Sequence, residues 1–148
     1  MDIQNLLNSI KKKQEVWVAG SATNELITEL EGKLNTKLPN SYKTFLLNYG
    51  AISIGDSAIS GITNPDLNEG CGSVYFDTKY LIEKNELPNY LVVIQSDEEA
   101  PYCLDTSKET SNGEMPVVCY ELNNRHSSIL SNNFNDWLVN YLSMMVNG

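Results

Sequence analysis

Leu38-Pro-Asn-Ser-Tyr-Lys-Thr-Phe-Leu-Leu-Asn-Tyr-Gly50 reads as a helix with both ends marked. Pro39 suits a helix opening, where a missing N–H costs nothing and a fixed φ helps. Gly50 suits the stop, where a positive φ is required. Between them Leu38, Tyr42, Phe45, Leu46 and Tyr49 fall at i, i+4, i+7, i+8 and i+11, one unbroken apolar stripe. A short helix with so heavy a stripe belongs to the core.

Upstream, Thr23 and Glu25 open a second helix whose buried face is Leu26, Ile27, Leu30 and Leu34. Gly32 lies inside it and costs about 1 kcal/mol relative to alanine, so its last turn is expected to fray. A turn near Asn35-Thr36 leads straight into the Leu38–Gly50 helix, and so short a connection demands a corner or hairpin. Further back, Val16-Trp17-Val18 is a brief apolar stretch. Ile3, Leu6, Leu7 and Ile10 predict a first amphipathic helix that ends on Lys11–Lys13.

Downstream the texture turns to strands. Ala51–Ile54 and Ser57–Ile62 flank Gly55-Asp56, a hairpin signal. Thr63 to Gly72 is a long polar loop, of the kind that often binds. A middle helix is expected over Ser73–Glu86, with Val74, Phe76, Tyr80, Leu81 and Leu87 as its apolar positions and Pro88 as its end. Tyr90–Ile94 is a continuous β-branched run, read as a central strand buried on both faces. Ala100–Asp105 returns antiparallel, Pro116–Glu121 follows the Asn112-Gly113 turn, and Ser127–Leu130 reads as a short edge strand. A last helix carries Phe134, Trp137, Leu138, Tyr141, Leu142 and Met145, capped by Ser131 or Asn132. Helices, then consecutive strands with short turns, then a helix give an α+β fold.

Composition narrows the function. The chain of 148 residues holds a hydrophobic fraction of 41% and a charged fraction of 20%, the balance of an ordinary globular domain. No apolar run approaches the roughly 20 residues that span a bilayer. The lysines follow the apolar N-terminal positions rather than precede them, the wrong order for a secretion signal, so a cytoplasmic location is expected. Residues 1–50 carry six Lys/Arg against five Asp/Glu, whereas residues 51–148 carry four against fourteen. The net charge of −9 repels nucleic acid and anionic lipid and suits a basic partner, although plain solubility also explains it. Phosphate-cradling glycine motifs, zinc-type Cys/His clusters and a nucleophile elbow are all absent. Cys71, Cys103 and Cys119 show no paired spacing and read as reduced, mostly buried thiols. His126 is the one available base, and nothing links it to them. No enzyme, cofactor or metal site is expected.

Asp97-Glu98-Glu99 reads either as a phosphate-mimicking patch or as a solvated turn. Tyr102 beside it is an interface anchor or half-buried packing. Trp137 sits in the apolar stripe, which favours core packing, and Asp105 favours capping the turn that follows it.

Leu38-Pro39, Tyr42, Phe45, Leu46 and Gly50, preceded by Glu31 and Leu34, resemble the signature of the SUKH superfamily. Leu91–Ile94, Tyr102–Asp105, Pro116–Val118 and Phe134-x-x-Trp-Leu138 resemble its strand core and last helix in the right order. The turn Gln95–Ala100 departs from the small glycine-containing turn common in that family. The resemblance implies a single SUKH-like domain over 1–148, with its motif-bearing part at about 21–146. It further implies a mainly antiparallel sheet flanked by N-terminal helices, a middle helix and a C-terminal helix. For function it implies binding. Bacterial members typically neutralise toxins as immunity proteins, and others are regulatory interaction scaffolds. With the acidic charge, it points to a basic cognate toxin domain, such as a nuclease, as partner. The expected interface is the acidic loops, Asp56, Asp66, Glu69, Asp97, Glu98 and Glu99, with Tyr102 as anchor.

Overall fold

The computed structural model describes residues 2–63, 67 and 72–148. Asp66, Glu69 and Cys71 therefore lie outside the described residues. Among those described, the order is α1 (Ile3–Lys11), β1 (Val16–Val18), α2 (Asn24–Leu34), α3 (Asn40–Tyr49), β2 (Ile52–Ile54), β3 (Ser57–Ile59), α4 (Val74–Asn85), β4 (Leu91–Gln95), β5 (Tyr102–Asp105), β6 (Val117–Glu121), β7 (His126–Ser131) and α5 (Phe134–Asn147). The class is α+β, with antiparallel sheets β1-β2-β3 and β4-β5-β6-β7. The Ser60 N–H donates to the Ile94 carbonyl at 2.7 Å, joining the end of β3 to β4.

The α3 stripe does what its spacing demands. Tyr42, Phe45 and Leu46 are buried, and Tyr42 and Phe45 pack on Phe134 of α5 with ring centroids 4.9 and 5.2 Å away. Gly50 ends the helix at φ +73°, and a Cβ there would collide with the Gly20 carbonyl oxygen. Pro39 is the N-cap rather than the first helical residue, and it has no side-chain oxygen to offer the helix N–H groups. Distant residues supply them. Glu114, from the β5–β6 loop, accepts from the Ser41 N–H at 2.9 Å and the Ser41 hydroxyl at 2.7 Å. The Asn40 N–H donates to the Gly113 carbonyl at 3.0 Å, and the Leu38 N–H to Glu31 of α2 at 2.7 Å.

The brief apolar stretch Val16–Val18 is a strand, because pairing with β2 satisfies its backbone. Four expectations need correction. In α4, Phe76 and Tyr80 are 41% and 50% exposed, whereas the polar Asp77 and Thr78 are buried. Both polar groups are bonded: the Ser60 hydroxyl donates to Asp77 at 2.6 Å, and Thr78 Oγ1 accepts from the Val93 N–H at 2.9 Å. Satisfied polar groups can be buried at modest cost, so apolarity alone misassigns this helix face. Glu86, in left-handed geometry, ends α4 before Pro88 is reached. Finally, Asn133 caps α5, accepting from the Asp136 N–H at 2.8 Å. Gly32 does not fray α2, which runs on to Leu34 and closes on a left-handed Asn35.

Strands β4, β5 and β6 are largely buried, β4 standing first in the sheet order rather than at its centre as expected, whereas β7 is exposed. Val92, Ile94, Leu104 and Val117 join α3 and α5 in the larger core. Leu91, Val93, Cys103, Val118 and Tyr120 pack with Leu81 of α4 in the smaller one. Strand alternation produces this division directly.

Candidate partner-binding face

The charged turn after β4 is a built corner. Asp97 Oδ1 accepts from the Glu99 N–H at 2.8 Å and the Ala100 N–H at 2.9 Å. These two bonds, the Ala100 one foremost, hold its carboxyl below the usual carboxylate range, so it stays charged. The far side of the turn is pinned as well. The Leu122 N–H donates to the Glu99 carbonyl at 2.9 Å, and the Tyr120 N–H to the Pro101 carbonyl at 3.0 Å.

One row of residues crosses the sheet from this corner. Gln95 is paired with Tyr102, Tyr102 with Cys119, and Cys119 with Ser128. Register partners share a face, and the face is that of α5. Gln95 Nε2 donates to the Tyr141 hydroxyl at 3.0 Å, and Tyr102 meets Trp137 edge-on at 5.9 Å. A hollow of about 450 Å³ opens over this row, bounded by Asp56, Ser57 and Ala58 of the β2–β3 hairpin and by Ser96, Asp97 and Ala100. Behind the turn a second hollow, of about 350 Å³, is lined by Tyr80, Leu81, Asn85, Ser96, Asp97 and Glu98.

The structure thus brings Asp56, Asp97 and Tyr102 together on one hollow and turns Glu98 to its neighbour. Glu99 is exposed but lines neither. Neither hollow is lined by a lysine or arginine. The ion pairs among the described residues, Lys43–Glu31 and Arg125–Glu86, lie elsewhere. The carboxylates of this face are therefore not neutralised by those pairs. Tyr102 is half-buried and lines the hollow, so packing and exposure are both realised in one residue. Trp137 is buried, and Asp105 caps its turn by accepting from the Ser107 N–H at 3.0 Å.

Gln95, Cys119 and Tyr80 were not read from the sequence as residues of this face. Alternation along a single strand puts Tyr102 opposite in sense to Cys103, but only register tells which residues of other strands stand beside it. Cys119 contributes a neutral thiol. Burial, with Glu121 and Asp97 nearby, pushes it up from its usual range. Cys103 belongs to the opposite face and is pushed up much further by burial. Among the described residues, no group of three or more His, Cys, Asp or Glu is arranged to hold a metal ion. No helix there is long and apolar enough to cross a membrane.

Such a face offers shape, fixed negative charge and an aromatic floor, the equipment of recognition. Residues 3–143 match the SUKH family described as SMI1-KNR4 cell-wall. That match spans almost the whole sequence, including α3 and the sheet that carries this face, and the chain belongs to the SUKH superfamily.

Proposed function

We propose that this protein is an immunity protein. It binds a cognate bacterial toxin domain and blocks that domain's active cleft, acting without cofactor or turnover in the cytoplasm. The observation that carries this reading is the cation-free acidic hollow under a turn fixed by its own hydrogen bonds. A nuclease cleft is shaped to attract phosphates, and carboxylates held in place compete for the same potential. Preorganisation matters because a side chain already ordered loses less entropy on binding. Steering by charge sets the association rate, whereas tight binding comes from a few buried anchors.

Survival on coexpression tests this. The C-terminal domain encoded by the neighbouring open reading frame is expressed with and without this chain. Death without it and survival with it supports the reading. Replacing Asp56, Asp97 and Glu98 together by lysine should then abolish protection and the salt dependence of binding. A neighbour that is harmless alone, yet binds, would make the chain a regulatory scaffold instead. A neighbour that kills equally in both cases refutes immunity for that pair.

A further inference from the structure

Past Tyr102 the same open face turns apolar. Tyr102, Leu130, Trp137, Asn140, Tyr141 and Met144 line a groove of about 260 Å³ between β7 and the flank of α5. Leu130 is 44% and Met144 67% exposed. Both are out of place for a purely structural role. Apart from Ile129 and Leu130, β7 is polar throughout, and Met144 stands off the stripe by which α5 packs on the core. The groove shares Tyr102 with the acidic hollow, so apolar surface runs directly toward Asp56 and Asp97. No lysine or arginine lines either part.

The floor is rigid and the rim adaptable. Trp137 stacks on Tyr141 at 5.2 Å, and Gln95 fixes the Tyr141 hydroxyl. Aromatic rings held in this way bind at little entropic cost, whereas methionine reshapes itself to the guest.

We propose that this composite groove docks a cationic, apolar-anchored segment of the partner protein. A bulky apolar side chain sits between Leu130 and Met144 over Tyr102, and an adjacent lysine or arginine reaches Asp56 and Asp97. The proposal rests on the binding reading above and narrows it from an acidic face to a defined contact. Charge complementarity selects the occupant. An acidic segment is repelled at one end, and a purely polar one leaves the apolar end unfilled. A second copy of this chain carries a net charge of −9 and meets the same repulsion.

The test is a titration of the isotope-labelled full chain, followed by NMR amide shifts, with three capped hexapeptides: Lys-Lys-Leu-Phe-Lys-Lys, Glu-Glu-Leu-Phe-Glu-Glu and Lys-Lys-Ser-Ser-Lys-Lys. The first is expected to saturate shifts at Tyr102, Cys119, Leu130 and Met144 and to bind about tenfold or more tightly than either control. Met144→Lys and Leu130→Lys, both at exposed positions that line the groove, should each weaken it by about tenfold or more. Equal binding of all three peptides, shifts centred elsewhere, or no saturable shift at millimolar peptide overturns the proposal. The two levels fail separately. A toxin domain that is neutralised equally by wild type and by both variants removes the groove and leaves the immunity reading intact. A groove that takes the first peptide in a chain protecting against no toxin keeps the groove and removes immunity.

Discussion

Glu114 should matter to stability far more than its place in a surface loop suggests. Helix α3 opens on Pro39 without a side-chain cap of its own, and Glu114 supplies one from 73 residues away. Its carboxylate accepts from the Ser41 N–H and the Ser41 hydroxyl, and Ser41 Oγ in turn accepts from the Asn135 N–H at 3.3 Å. One residue thus ties the starts of α3 and α5 to the β5–β6 loop. Losing an N-cap acceptor costs about 1 kcal/mol, and losing a negative charge at a helix N-terminus about 0.3–1 kcal/mol. The hydroxyl bond adds about 0.5–1.5 kcal/mol. Glu114 is half-buried, which keeps the sum for Glu114→Ala near 2 kcal/mol, with Glu114→Gln near half of that because an acceptor oxygen remains. With a urea m-value of about 2 kcal/mol per M, the alanine variant's midpoint falls by about 1 M at unchanged slope. Salt should narrow the gap between wild type and Glu114→Gln, since only the charge–dipole part is screened. An alanine variant within about 0.5 kcal/mol of wild type would refute the claim that this distant carboxylate holds α3 in place.

Asp77 is buried, and desolvation raises its carboxyl above the usual range despite the Ser60 hydrogen bond. The unfolded chain ionises it first, so its contribution to stability is complete below the ordinary carboxylate pKa and is lost as pH rises through the raised folded value. Asp77→Asn stays neutral and keeps an oxygen for Ser60, so its stability relative to wild type should climb through that window. Urea midpoints at a series of pH values measure this, and a flat or falling difference counts against it. The glycines of α2 and of the α3 stop should respond oppositely. Gly32→Ala meets open space in a helix interior and should stabilise by about 0.5–1 kcal/mol. Gly50→Ala combines a positive φ with a backbone collision and should cost about 3 kcal/mol or more, read from thermal midpoints.

How much of this was legible in the sequence differs from element to element. The α3 and α5 stripes were, because 3.6-residue periodicity is a local property and burying it leaves one choice of face. The strand order after α4 followed from short turns, which force antiparallel neighbours. Helix α4 resisted, because Asp77 and Thr78 are buried by partners, Ser60 and Val93, that lie on other elements. The acidic turn was visible, but not its rigidity, which rests on backbone N–H groups of the folded turn and on strand β6.

By itself the sequence determined where most helices and strands fall, the apolar faces of α3 and α5, the acidic balance and the family resemblance. Each of these is written in nearest-neighbour spacing or in simple composition. The tertiary structure alone decided that Glu114 caps α3, that Gln95, Tyr102, Cys119 and Ser128 form one row, and that Asp56 and Asp97 line one hollow. Those relations depend on register and on contacts between residues far apart in the chain. A shift of one residue in the pairing of any one strand would send its side chains to the opposite face and break the row.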